Sequence, residues 1–350
     1  MASTETIGWF ADIGLSDRPT VGGKGGSLGE LIKAGIAVPP GFVVKTQAFE
    51  DFIQLLEREG PLRARVEALE ADDLDGVTAC SKALRARVEA AAMPPELERE
   101  ITAAHAELCG GAPDAPVAIR SSATTEDAED ASFAGLQDTF LWVIGAAETL
   151  RFIRTCWASL YSVESLTYRR KHGLPEAGVA MAVVVQRMVD ARTAGVMFTR
   201  SPLTGDRSVI TIEGAWGLGS AVVGGEVTPD RFVVGKITGE ISVRDISDKH
   251  VRHQPKAAGG VEEVETPEDL RRTPCLSDEE LQALRDIGRK VERHYGRPQD
   301  IEWAVDRHGA GILLLQSRPE TVWSSKEAAP VASPAANPLL HVMNVFGGRR

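Results

Sequence analysis

Four short segments of this sequence carry residue types suited to a phosphorylated ligand. The first is G-G-K-G-G-S-L-G at residues 22–29. Glycines let a backbone come close to phosphate oxygens, and Lys24 between them offers a point charge. Lys24 is followed by Gly25 rather than Ser or Thr, so this is not a Walker A loop; a plain flexible loop is the alternative. The second is A-I-R-S-S-A-T-T-E-D at residues 118–127, continued by S-F-A-G-L-Q-D-T-F-L at 132–141. Arg120 at a strand end, followed by hydroxyls and small residues, suits a loop that closes over polyphosphate. The plainer reading is a polar surface loop with a structural arginine. For Glu126, Asp127, Glu129 and Asp130 the plainer reading is preferred, because clustered carboxylates repel phosphate unless a metal intervenes.

The third segment is a pair of strands, D-I-E-W-A-V-D and I-L-L-L-Q-S-R-P-E, near residues 300–306 and 312–320. Alternation puts Ile301, Trp303 and Val305 on one face and Asp300, Glu302 and Ala304 on the other. A hairpin centred on Gly309 sets Glu302 opposite Gln316, with Arg318 farther along the same face. Two oxygen ligands side by side suit Mg²⁺, which keeps waters and takes its remaining ligands from phosphates. A carboxylate and an amide across a sheet are equally suited to a structural hydrogen bond. The fourth segment is I-E-G-A-W-G-L-G at residues 212–219, where Glu213 is suited to orienting a metal or a ribose, or to capping the turn.

The elements that must position these residues are legible in outline. The glycine-rich run reads as a loop entering a short helix, with Leu28, Leu31 and Ile32 on one face. Residues 49–108 are helical in pattern with a break at Pro94-Pro95, and residues 151–170 read as one buried helix. Residues 117–119, 180–185, 195–199 and 208–212 read as strands, with Gln186 beginning the exit from the second. Ser277 and Glu280 have capping-box spacing ahead of Leu281, Leu284, Ile287 and Val291, the clearest helix in the chain. After Trp323 an Ala/Pro/Ser-rich stretch reads as a linker, ending in an apolar piece at 339–346 that is a candidate docking segment.

At 350 residues the chain has room for two domains or large lobes. A net charge of −11 argues against a broad nucleic-acid surface. No apolar run suggests a membrane span or a secretory signal. The four cysteines form no C-x-x-C pair, so reduced thiols and a cytoplasmic setting are expected.

In order along the chain, G-G-K-G-G-S-L-G-E-L, V-P-P-G-F-V-V, I-R-S-S-A-T-T-E-D, S-F-A-G-L-Q-D-T-F-L, G-V-M-F-T, G-A-W-G-L-G, V-T-P-D-R-F, D-I-E-W-A and L-L-L-Q-S-R-P-E-T-V-W resemble the nucleotide-binding part of the pyruvate phosphate dikinase and phosphoenolpyruvate synthase family. The resemblance spans residues 21–323. It implies an α+β ATP-grasp fold, with lobes at 1–185 and 186–323, a tail at 324–350, and ATP between the lobes. It implies that Lys24 and Arg120 contact phosphates, with Thr139 in the loop over them. Gln186 and Met188 would contact adenine, Glu302 and Gln316 would hold Mg²⁺, and Arg318 would meet the transferring phosphate. Glu213 carries over as a further nucleotide contact.

Full-length relatives also carry a phospho-accepting histidine in a T-S-H-type motif, and none of the seven histidines here has that context. The expected function is therefore an ATP-dependent phosphotransferase subunit that phosphorylates a histidine on a separate partner, which passes the phosphate to a small acceptor. Phenylphosphate synthase of anaerobic phenol degradation is the leading model for that architecture. A phosphoenolpyruvate synthase-like subunit acting on pyruvate and a non-catalytic nucleotide sensor are the alternatives.

Overall fold

The computed structural model describes residues 6–70, 72–124, 138–321 and 323. The acidic cluster Glu126, Asp127, Glu129 and Asp130, residues 132–137 and the tail 324–350 lie outside the described residues.

The first lobe is built on a five-stranded antiparallel sheet of β1 (Ile7–Trp9), β2 (Gly41–Val44), β3 (Val117–Ala123), β4 (Thr139–Val143) and β5 (Met181–Arg187), in the order β1-β2-β5-β3-β4. Its central strands are buried at nearly every position because both faces are covered. Strand alternation divides them: Val43, Ala182 and Val184 pack beneath α1 (Arg18–Lys33), with Val21 and Leu28. Phe42, Val44, Val183 and Val185 face the other way, into a helical layer. That layer comprises α2 (Thr46–Glu57), α3 (Arg63–Glu67), α4 (Leu74–Ala90), α5 (Pro95–Leu108), α6 (Ala146–Ser159) and α7 (Val163–Lys171). Helix α5 starts where the sequence suggests, with Pro95 in its first turn, where a missing N–H costs nothing.

The second lobe holds β6 (Ala191–Phe198), β7 (Val209–Trp216), β8 (Asp230–Gly235) and β9 (Ile241–Asp245). A two-stranded ribbon of β10 (Val251–Pro255) and β11 (Val261–Glu265) follows, then β12 (Gln299–Asp306) and β13 (Ile312–Pro319). The six-stranded sheet runs β13-β12-β6-β7-β8-β9, again antiparallel. The helices here are α8 (Ser220–Val223), α9 (Glu268–Arg271) and α10 (Asp278–Tyr295). The expected capping box closes the start of α10, with the Ser277 side chain accepting from the Glu280 N–H and Glu280 accepting from Ser277. Its Leu281, Leu284 and Val291 bury one sheet face, against Met197, Ile212, Ile301 and Trp303. The residues between those positions therefore point to the opposite face.

Three expectations need correction. The segment 151–170 is two helices rather than one, because Ser162 caps a new start by accepting from the Ser165 N–H. Gln186 lies inside β5, paired with Gly41 and Ala118, so the crossing between lobes falls at residues 188–190 rather than at 185/186. The glycine-rich segment is not a loop: it lies within α1, which is broken only by a kink at Gly22 (φ 71°, ψ 177°).

Candidate functional site

The β12–β13 hairpin sets the central pair. Next to the turn, Val305 pairs with Ile312 and Trp303 with Leu314, one residue off the register of a hairpin centred on Gly309. A bulge between Glu302 and Trp303 then restores it, so Glu302 does face Gln316 and Asp300 faces Arg318. The bulge leaves Leu315 without a partner in the ladder, and its carbonyl accepts from an Arg120 guanidinium N–H at 2.8 Å. Arg120 arrives from β3 of the other lobe. It also donates to Glu302 at 2.9 Å and to Gln316, while its Nε–H has no partner. Arg120 thus bridges the two lobes by holding the acid–amide pair.

Direct pairing extends the Glu302 position across the whole sheet. Gln316, Glu302, Val196, Glu213, Arg231 and Asp245 are successive cross-strand partners and share the face away from α10. Glu213 stands two strands from Glu302 on the same face, with backbones about 10 Å apart. Burial pushes the Glu213 carboxyl up, while Arg231 beside it pulls the other way.

Two residues along the strands on either side lie rows of different character. On one side Leu313, Ala304, Ala194 and Ala215 are partners, an apolar row. The half-buried Met188, Leu315 and Trp142 pack with the same cluster. On the other side Asp300 meets Arg318, with a 3.5 Å ion pair. Burial pushes the Asp300 carboxyl up to about 6, with Arg318 opposing and Glu320 adding to the rise. One Asp300 carboxylate oxygen is buried without a hydrogen-bond partner. The face pattern in the sequence already placed Asp300 beside Glu302, but only its burial and orphaned oxygen mark it as a site residue.

The remaining residues divide. Ser122, two positions beyond Arg120 and on the same β3 face, braces α1: its Oγ accepts from Gly25 N–H at 3.2 Å and donates to the Val21 carbonyl at 2.9 Å. Lys24, 6% exposed, lies in that braced turn. Thr139 begins β4 directly opposite Arg120 and borders a cavity of about 510 Å³ between β4 and the β10–β11 ribbon. Gln186 is 2% exposed and its amide donates to the Pro39 carbonyl. Met188 lies at the crossing between lobes and packs with the apolar cluster.

The cleft therefore has one charged end and one apolar end and lies between two α+β lobes. Residues 18–337 match the family described as pyruvate phosphate dikinase, AMP/ATP-binding domain, and the chain belongs to that family. A probable phosphoenolpyruvate synthase of Methanocaldococcus jannaschii is 40% identical over 321 residues, which are 91% of this chain and 27% of that protein. The phosphoenolpyruvate synthase of Aeropyrum pernix is 42% identical over 357 residues, 93% of this chain and 43% of its own length. The chain thus spans less than half of these relatives. Among solved structures, the ADP complex of N5-carboxyaminoimidazole ribonucleotide synthetase overlaps 72% of this chain and 58% of its own, at 8% identity and a TM-score of 0.27. Among the described residues no helix is long and apolar enough to cross a membrane.

Proposed function

We propose that this chain binds Mg²⁺–ATP across the second-lobe sheet and transfers a phosphate from it to a histidine on a separate polypeptide. The carrying observation is the succession of rows along the strands: apolar at Ala304, acid–amide at Glu302 and Gln316, then Asp300 with Arg318. This is the order in which base, metal-bridged phosphates and transferable phosphate follow one another in ATP. Successive rows lie about 7 Å apart.

The residues fit a divalent ion. The guanidinium of Arg120 already draws the oxygens of Glu302 and Gln316 onto one cation, and the neighbouring row holds the orphaned Asp300 oxygen. Glu302 and Gln316 would hold Mg²⁺, with Asp300 beside them, and the ion when bound neutralises phosphate charge. Arg120 and the ion would compete for the same oxygens, so Arg120 would turn from Glu302 and Gln316 to a phosphate when the ion is held there. Met188, Leu313 and Leu315 offer the base an apolar wall, and Arg318, 58% exposed, reaches towards an incoming acceptor. Positioning and charge stabilisation supply the catalysis, as in other phosphoryl transfers.

The carrier histidine is assigned to another polypeptide because none of the seven histidines here lies in a T-S-H-type motif. His294 is bonded to Glu30 and His308 to Asp190, while His105 is buried beside Cys109. The names of the relatives favour a phosphoenolpyruvate synthase-type reaction, with pyruvate as final acceptor and AMP and phosphate released, over the phenol-directed one.

Glu302→Gln tests the metal–nucleotide assignment, since it keeps an acceptor for Arg120 and removes the charge. Mn²⁺ binding in the presence of ATP, followed by electron paramagnetic resonance, is expected to weaken about tenfold or more. Unchanged Mn²⁺ affinity would remove Glu302 from the site.

A further inference from the structure

We propose that Glu226, His253 and Glu263 form a second metal site, separate from the Glu302–Gln316 pair and suited to a Zn²⁺-type transition ion. His253 and Glu263 are direct cross-strand partners on the β10–β11 ribbon, so their side chains stand together on one face. Glu226, from the turn after α8, brings a carboxylate oxygen to 2.6 Å from His253 Nε2. One ligand atom from each of the three lies within 4.8 Å of the others.

Groups that would hold the His253 ring in place are also present. Ser220, the first residue of α8, sits 2.7 Å from His253 Nδ1. With the Nδ1 proton donated to Ser220 Oγ, Nε2 carries the lone pair a metal needs, and the ring is fixed in orientation. The main chain is fixed as well: Leu218 N–H donates to the His253 carbonyl at 3.0 Å. At Gly217 (φ 80°) an added Cβ would lie 2.3 Å from that same carbonyl, so only glycine allows the approach.

The donor set selects the ion. One imidazole nitrogen and two carboxylates neutralise a dication, and a mixed N/O set suits Zn²⁺ better than Mg²⁺, which prefers oxygen and retained water. Ligand atoms on a tetrahedral Zn²⁺ lie about 3.4 Å apart, so the His253–Glu226 contact opens by less than about 1 Å to admit it. Ser220, His253 and Glu263 all line the 510 Å³ cavity, which leaves room for a water or a small ligand in the fourth position. The ion would tie the ribbon to the α8 turn. The ribbon is itself bonded to the first lobe, Gly260 N–H to the Trp142 carbonyl at 2.9 Å, so the tie braces the contact between lobes.

The test uses the full chain, stripped with a chelator and titrated with Zn²⁺ alone, without nucleotide. Calorimetry is expected to show one Zn²⁺ per chain for the native protein and for Glu302→Gln, which keeps this site independent of the nucleotide reading. Glu263→Gln, at an exposed position that does not endanger folding, and His253→Gln are each expected to weaken binding about tenfold or more. With Co²⁺ in place of Zn²⁺, the visible bands of a nitrogen-ligated ion should disappear in His253→Gln. Absence of Zn²⁺ binding in the native protein overturns the proposal. So does binding that survives unchanged in both ribbon variants, or binding lost in Glu302→Gln.

Discussion

Arg318→Ala is expected to slow phosphate transfer about 10³-fold or more, the scale on which a positioned arginine assists phosphoryl transfer, while the fold stays intact. The reasons are local. Arg318 is the cation of the Asp300 row, and at 58% exposure its side chain supports no core. Its ion pair to Asp300, at 3.5 Å, is of the half-exposed kind worth about 0–1 kcal/mol. Removing it also leaves Asp300 without the charge that opposes its burial, so that carboxyl becomes still harder to ionise. Arg318→Lys should recover part of the rate, since it restores charge without the planar fork. Single-turnover labelling beside a thermal melt separates the effects: loss of transfer with an unchanged melt supports the assignment. A native rate in the alanine variant removes Arg318 from the reaction.

Gly22→Ala is expected to destabilise the first lobe by roughly 3 kcal/mol or more. Two costs add. Its φ of 71° and ψ of 177° lie where essentially only glycine goes. An added Cβ would also stand 2.2 Å from the Ser122 carbonyl oxygen and 2.3 Å from its Oγ. The nearer atom belongs to the backbone of β3, so no side-chain rotation relieves it. Moving either partner breaks the Ser122 bonds to Gly25 and Val21 that hold Lys24's turn against the strand of Arg120. Urea unfolding should show the midpoint falling sharply; a midpoint within error of the native protein contradicts this account of the kink.

How far the sequence reached depended on how local the causes were. The Glu302–Gln316 partnership followed from strand alternation and a turn near Gly309, although the true register at the turn is offset and the bulge at Leu315 corrects it. The capping box of α10 was equally local and equally readable. The glycine-rich segment misled because glycine disfavours helix by about 1 kcal/mol per residue. Here close approach decides: a Cβ at Gly29 would sit 2.4 Å from the Ile13 carbonyl, so glycines let α1 lie tightly against its neighbours.

Arg120's pairing with Glu302 joins residues 182 positions apart on different lobes, and no periodicity encodes that. The burial of Gln186 is nonlocal for a related reason, since it arises from β2 and β3 closing on either side. The ribbon was missed altogether. Its strands are half-exposed or exposed throughout and lack the apolar alternation that announces a strand, so His253 and Glu263 gave no sign of being neighbours.

The central claim, phosphate passing from ATP to a histidine on another polypeptide, is tested most directly with ATP carrying ³²P at the β position. The chain is incubated with labelled ATP and Mg²⁺, first alone and then with an extract fraction containing the carrier. The account predicts acid-labile, base-stable label on a second polypeptide only when both are present. Stable label on this chain alone would contradict it.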